Sequence, residues 1–482
     1  MFFFPFRRPN LLLALSPAIS EKCVHWISIR KIRLPASHIE ALACTTNSIF
    51  VVLVQLGGHQ SLGKMSRRTD IRDFVSFALD CTRFRLVREE ADVENEKLRF
   101  APQMAHQIFG ESESIFGYRG LKIEIMASAG PLDLYFDISY TKKVEDLRTE
   151  GLKSDNVMKS LADMVEDGCF YTNLDEFKRI HAAKSAAFRP HGSKVDEFTY
   201  PLDGRDTETR TFEVYVSSAE NAEYMKFHTR LEMFSFWYID GFSRVEIDPL
   251  WLFFTVYERY GADNNNESAT NDAANVRYAT VGYVSVYQYY SYPKNIRPRV
   301  SQILILPPFQ KLGIAARLIN HTTYEYFRKK DNVTDITFEE PIDVIQHIRS
   351  VVDAKRCKEL SAFAPDKLLA GFSQEMLRQA RATYLINPKQ CRVVYEILRL
   401  GITDTDNAEQ YRAYRVEVKK RLNMNYSRHR RDLARAKKRG VDVTVAMCGI
   451  PNVSERIESL NAEYRQVEQI YALVLQKLLT EG

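Results

Sequence analysis

The stretch from residue 297 to residue 327 constrains this chain more than any other. It reads as a strand, "RPRVSQILIL", then a short turn, "PPFQKLG", then a helix-like run, "AARLINHTTYEYF". A strand that passes through a tight turn straight into a helix belongs to architectures that lay helices on a sheet. Around it the order is strand, helix, strands, turn, helix, strand, helix. "TETRTFEVYVSS" (207–218), "LWLFFTVYERY" (250–260) and "RYATVGYVSVYQYYSY" (277–292) are strand-like, and "NAEYMKFHTRLEMFSFWYIDGF" (221–242) has helical spacing. "DNVTDITFEEP" (331–341) reads as one further strand. The fold class is therefore α/β, mixed α+β, rather than a bundle or a sandwich.

Two flanking regions differ from this centre. Between 83 and 140, "RFRLV", "LKIEIMAS" and "LDLYFDISYTKKV" are strand-like runs separated by the polar "FGESESIFGYRG". Beyond about 344 the apolar period becomes 3.6, through "IQHIRSVVDAKRCKEL", "PDKLLAGFSQEMLRQARATYLI", "PKQCRVVYEILRLG" and on to "ERIESLNAEYRQVEQIYALVLQKLL". The expected division is an extension without packed structure at 1–64, a mixed α/β domain at 65–199, the central α/β domain at 200–350 and a helical domain at 351–482. "GADNNNESATNDAAN" (261–275) is polar and aperiodic and reads as a loop.

Charge matters here for where it lies. Residues 1–64 hold seven Lys/Arg and two Asp/Glu, so the whole excess of +5 sits there and the rest has 60 of each sign. A neutral body argues against a broad surface tracking phosphates, and no direct nucleic-acid contact is expected. The basic run "YSRHRRDLARAKKRG" (426–440) reads as a solvated or partner-facing helix. The acid-poor first 64 residues fit a mitochondrial presequence weakly. They fit better an alternative amino-terminal extension, or an overcalled start, ahead of Met65, where "MSRRTD" is a plausible soluble beginning. "IFVVLVQL" (49–56) is too short to cross a bilayer, and no membrane is expected. Cys23, Cys44, Cys81, Cys169, Cys357, Cys391 and Cys448 are scattered, which argues against a zinc site or disulfide framework and predicts small buried hydrophobes.

The turn carries the first chemistry. Unpaired N–H groups and the helix dipole make a strand–turn–helix junction a place for an anion. Gly313 lets a ligand approach the backbone, Ala315 keeps the next position small, and Gln310 offers a side-chain donor. No Gly-Lys-Ser/Thr follows, so this is not a phosphate loop of that kind. Alone, the spacing is equally that of a structural turn.

Six segments narrow the reading: "FGYRGLKI" (116–123), "VGYVSVYQYYSYP" (281–293), "RPRVSQILILPPFQ" (297–310), "DITFEEP" (335–341), "YEILRL" (395–400) and "NAEQYRAYR" (407–415). In this order they resemble the catalytic subunit of the type B histone acetyltransferase, within the GNAT superfamily. The resemblance spans about 85–435 and implies the GNAT fold. It implies acetyl-CoA as co-substrate, held by the backbone of Ile303, Leu304 and Ile305 and by the turn Gln310, Lys311, Leu312, Gly313, Ile314, Ala315 and Ala316. It implies Glu339 as general base, with Glu340 and Asp240 as helpers. It also implies a groove for the tail of histone four from Glu111, Ser112, Glu113, Tyr287, Gln288 and Tyr289, with Trp251 as a further wall.

A WD-repeat histone chaperone as partner, and residence in nucleus and cytoplasm, come from the resemblance alone. Departures are present. The family usually has glycine where this chain has Lys311 and Ala315, Glu-Asp where it has Glu339-Glu340, and Glu where it has Asp240. Apart from the resemblance, the acids are solvated strand-end residues and the tyrosines ordinary strand residues. A catalytically weak histone-binding scaffold and an acetyltransferase for another amine, such as a polyamine, are the alternatives.

Overall fold

The computed structural model describes residues 71–147, 151–165, 170–202, 205–261 and 276–480. The expectations for residues 1–64 and for the loop at 262–275 lie outside them, as do Cys23, Cys44 and Cys169.

The amino-terminal part is a four-stranded sheet of β1 (Thr82–Val87), β2 (Lys122–Ser128), β3 (Leu134–Ser139) and β4 (Phe170–Tyr171), in that order. A one-turn helix, α1 (His106–Phe109), precedes the loop at Gly110–Glu113. The central sheet has six strands: β5 (Ser193–Leu202), β6 (Arg205–Ser218), β7 (Trp251–Tyr260), β8 (Arg277–Ser291), β9 (Asn295–Ile305) and β10 (Thr337–Phe338). They lie side by side in sequence order, antiparallel except that β9 and β10 are parallel. Helix α2 (Ala222–Tyr238) is buried along most of its length, including Trp237, Phe234 and Phe227. One apolar core runs from Ala78 to Leu385 and joins both sheets. The chain is thus of the mixed α/β class that its pattern predicts.

Three elements differ from the sequence expectation. β5 was not anticipated: its run "SKVDEFTYPL" carries three charged residues, and it lies across the 199/200 boundary as a full member of the central sheet. As an edge strand it keeps those charges toward solvent and ion-pair partners, which hides the apolar alternation. The expected strand at 331–341 shrinks to two residues, flanked by single bridges Ile296–Val333 and Ile336–Ile386. The run at 365–386 is two helices, Pro365–Ala370 and α5 (Gln374–Tyr384) below. Gly371, at φ +115, ends the first, and Ser373 caps the second.

The helical part comprises α4 (Asp343–Cys357), α5 (Gln374–Tyr384), α6 (Pro388–Ile402), α7 (Ala408–Leu422), α8 (Met424–Lys438) and α9 (Val453–Thr480). It has its own core around Cys357, Met376, Cys391, Tyr395 and Val474. Buried Asp335 stitches it to the sheet, accepting from Arg297 on β9 and Arg381 on α5. Helix α8, the basic run, buries none of its side chains. Cys357 and Cys391 are buried and Cys81 half-buried, all as free thiols. No helix among the described residues is long and apolar enough to cross a membrane.

Candidate active site

β9 has a strand on both sides only in its first half. Arg299 and Val300 pair with Thr337 and Phe338, and Glu339 N–H donates to Val300 O (2.9 Å). There the parallel pair ends, and among the described residues no strand continues beside Ser301–Ile305 on that side. On the other side β8 stays paired through Gly282–Ile305. A Cβ at Gly282 would sit 2.0 Å from Leu304 O, so only glycine permits this close approach. The result is a half-open strand edge containing Ile303, Leu304 and Ile305, able to pair with an extended amide-bearing ligand.

The edge leads into the turn. Pro307–Phe309 form a single 3-10 turn, Lys311 lies at φ +66 and Gly313 at φ +78, and the helix starts at Ile314. This helix, α3 (314–328), is π-helical over Leu318–Tyr324. Its backbone bond from Arg317 N–H to Gly313 O (3.0 Å) leaves the earlier N–H groups without an intrahelical acceptor. Gln310, Lys311 and Gly313 are exposed, and Tyr200 of β5 brings its hydroxyl to 3.4 Å from where a Gly313 Cβ would lie. Lys311 and Gly313 fit a phosphate-bearing ligand through backbone donors, whereas the Gln310 N–H is spent on Pro307 O (3.2 Å). The exposed Gln310 side chain also closes the turn, its Nε2 donating one N–H to Ile305 O (2.8 Å). The Arg317 guanidinium pairs with Asp196 of β5 (2.7 Å), fixing the helix on the sheet. Burial alone would raise the Asp196 carboxyl, but Arg317 and the Thr322 hydroxyl hold it below its ordinary value.

Glu339 stands where the two parallel strands part. Its carboxylate accepts from Ser301 Oγ (2.7 Å) and lies 3.7 Å from Arg299, and it is about half exposed, at 46%. Glu340, next to it, is exposed at φ +34 and has no partner of its own among the hydrogen bonds and ion pairs of the described residues. Trp251, Tyr287, Arg299 and Thr337 are paired in register across β7, β8, β9 and β10, so their side chains share one face. Trp251 and Tyr287 meet edge to face at 5.0 Å, Tyr287 and Tyr289 at 4.6 Å, and Arg299 lies over the Tyr289 ring at 4.7 Å. Tyr287 donates to Asp248 (2.9 Å), and that hydrogen bond raises its phenol.

The expected wall residues Trp251, Tyr287 and Tyr289 are therefore brought together and linked through Arg299 to Glu339. Gln288 points to the opposite face, with its Nε2 on Leu250 O (3.3 Å). The strand alternation of "YQYY" carried that signal. Arg299 was missed, since nothing in the sequence couples it to Tyr289.

Asp240 lies in the turn after α2. Gln107 holds that turn with a reciprocal pair, Nε2 to Phe242 O (2.9 Å) and Phe242 N–H to Oε1 (3.1 Å). Gln302 of β9 ties the same loop to the sheet through Ser243 O (2.9 Å). Glu113 spends its carboxylate on the N–H groups of Ala105 and His106 (2.5 and 3.1 Å), while Glu111 and Ser112 are exposed at the loop tip. Among the described residues no cluster of His, Cys, Asp and Glu is arranged to hold a metal ion.

Comparison with known proteins gives the same direction at both ends. Residues 74–240 match the model described as histone acetyl transferase HAT1 N-terminus. Residues 349–400 match that of the histone acetyltransferase type B catalytic subunit, C-terminal. Over 400 residues the chain is 37% identical to the histone acetyltransferase type B catalytic subunit of Mus musculus and 36% identical to that of Homo sapiens. Each alignment covers 82% of this chain and 92% of the relative. The protein of the same name from Mycosarcoma maydis is 29% identical over 351 residues, covering 67% of this chain and 75% of the relative. A solved aminoglycoside acetyltransferase from an uncultured soil metagenomic sample overlaps at a TM-score of 0.19 and 12% identity, over 27% of this chain and 78% of that one. A likeness that slight carries no argument.

Proposed function

Because the chain belongs to the family of type B histone acetyltransferase catalytic subunits, we propose that it acetylates tail lysines of newly made, free histone four, with Glu339 as the general base. It is an acetyl-CoA-dependent acetyltransferase. The observation that carries the proposal is the position of Glu339, at the point where the paired and the open halves of β9 meet.

A lysine side chain, with an ordinary pKa of about 10.4, must lose a proton before it attacks. Glu339 takes that proton, directly or through a water, and the neutral amine adds to the thioester carbonyl in a ternary complex; the C–S bond then breaks and coenzyme A leaves as the thiol, carrying the second amine proton. Ser301 and Arg299 fix the carboxylate by hydrogen bond and charge. The open edge at Ile303–Ile305 pairs with the amide-bearing arm of the donor, and the N–H groups of Lys311 to Ala316 receive its phosphates. The donor supplies an activated acyl group. The tail lies over Trp251, Tyr287 and Tyr289, with Glu111 and Ser112 at its margin, and Glu340 and Asp240 draw the incoming ammonium.

The test is acetyl transfer to an unmodified histone-four tail peptide by the full chain and by Glu339→Gln. Transfer by the parent with a loss of about a hundredfold in the variant supports base catalysis. A parent that binds acetyl-CoA and the peptide but transfers nothing supports the second reading, a histone-binding scaffold. Lys311, held in a backbone region that favours glycine, is the observation behind that alternative. A WD-repeat histone chaperone as partner, and action in both cytoplasm and nucleus, are carried by the family resemblance. Co-purification and fractionation of the tagged chain test them.

A further inference from the structure

Helix α1 contributes a side chain that neither the sequence motifs nor the reaction above absorbs. His106 Nε2 lies 3.1 Å from Asp240 Oδ1, and His106 Nδ1 lies 3.8 Å from Glu113 Oε1. Glu113 is not free to move: two backbone N–H groups at the start of α1 hold that same oxygen. The imidazole therefore sits between a carboxylate held by the backbone and an exposed one. Asp240 is 74% exposed, and its side chain makes no other ion pair or hydrogen bond among the described residues. An exposed aspartate on a turn samples several rotamers unless something holds it. The neighbouring Gln107 clamps the backbone of the same turn at Phe242. Successive residues of one short helix thus secure the turn twice, His106 through the side chain and Gln107 through the main chain.

We propose that His106 is a positioning residue that holds the Asp240 carboxylate toward the acetyl acceptor. It does so through Nε2–H, since an ionised carboxylate can only accept. Glu113 lies behind the ring at 3.8 Å, beyond hydrogen-bond reach, and bounds the space in which the imidazole sits. This rests on the reading of Asp240 as a helper to Glu339.

The geometry sets an asymmetric test. Glutamine places its amide nitrogen near the position of Nε2, whereas asparagine places it near Nδ1. Four single variants and one double are made in the full chain: His106→Ala, His106→Gln, His106→Asn, Asp240→Asn, and His106→Ala with Asp240→Asn. The readouts are kcat and KM for acetyl-CoA and a histone-four tail peptide, with thermal midpoints to confirm folding. The expected result is a drop in kcat of about tenfold for His106→Ala and His106→Asn, with KM for acetyl-CoA unchanged. His106→Gln should recover to within about threefold of the parent. The double variant should be no slower than Asp240→Asn alone, because the two changes remove one interaction.

Additive losses, or equal losses for glutamine and alanine, overturn the inference. So does loss at His106 with none at Asp240, which would show that the ring acts elsewhere. Loss at Asp240 with none at His106 overturns it while leaving the helper role of Asp240 intact. No loss at either overturns both.

Discussion

The two halves of the site are built from different material. On the proposed donor side, β9 beyond Val300 and the turn to α3 offer backbone: a strand edge with no neighbour among the described residues and, at the start of α3, N–H groups without an intrahelical acceptor. On the proposed acceptor side everything is side chain: Trp251, Tyr287, Tyr289, Arg299 and Glu339, each held by a ring contact or a hydrogen bond. Backbone surfaces survive changes of side chain, and side-chain surfaces do not.

The comparison breaks most visibly if substitutions on the two sides cost the same. Glu339→Gln should lower kcat by about a hundredfold, whereas Ile303→Val, on the donor edge, should change kcat and the KM for acetyl-CoA by less than about twofold. Gly282→Ala is the exception that sharpens the rule. It alters a side chain but acts on the backbone, pushing Leu304 O away from a Cβ that would sit 2.0 Å from it. It should destabilise the fold by about 2 kcal/mol in denaturant unfolding and weaken acetyl-CoA binding more than any other donor-edge variant.

On the acceptor side, Tyr287→Phe removes the hydrogen bond to Asp248. It should raise the KM for the tail peptide about threefold to tenfold, in line with about 1 kcal/mol, and leave acetyl-CoA unaffected. Lys311→Gly relieves a left-handed conformation and should stabilise the chain by about 0.5–1 kcal/mol. Loss of an exposed cation there should weaken acetyl-CoA by no more than about fivefold. The smallest effect is pH-dependent. Asp196 has its carboxyl held below the ordinary value by Arg317 and Thr322, against burial. Its contribution is fully present above the ordinary carboxylate range and is lost as pH falls through the lowered value. Asp196→Asn should therefore flatten the acid limb of stability while leaving neutral-pH turnover near that of the parent.

Much of this was legible beforehand because it is local. The period of 2 in β8 and β9, the glycine at 313 and the 3.6 period beyond 344 are visible in one sequence. What was not legible depends on partners far along the chain. β10 is short because Asp335 and Ile336 turn away to meet Arg381 and Leu385. β5 hides its pairing behind Lys194, Asp196 and Glu197. The bond from Gln310 to Ile305 O exists only once the turn has closed, and His106 meets Asp240 only once α1 and the turn after α2 are packed together.

The in-register row from Trp251 to Thr337 also acts as a measure of length. It spans three inter-strand steps of about 4.8 Å, close to 14 Å in all, which an extended peptide at about 3.3 Å per residue covers in about four residues. An extended peptide with one residue over Thr337 would thus place the residue about four positions away over the indole of Trp251. A single amino acid or a short diamine cannot reach both ends. On the proposed reading, with the tail laid along this row, the length of chain flanking the reactive amine becomes part of what the sheet can distinguish.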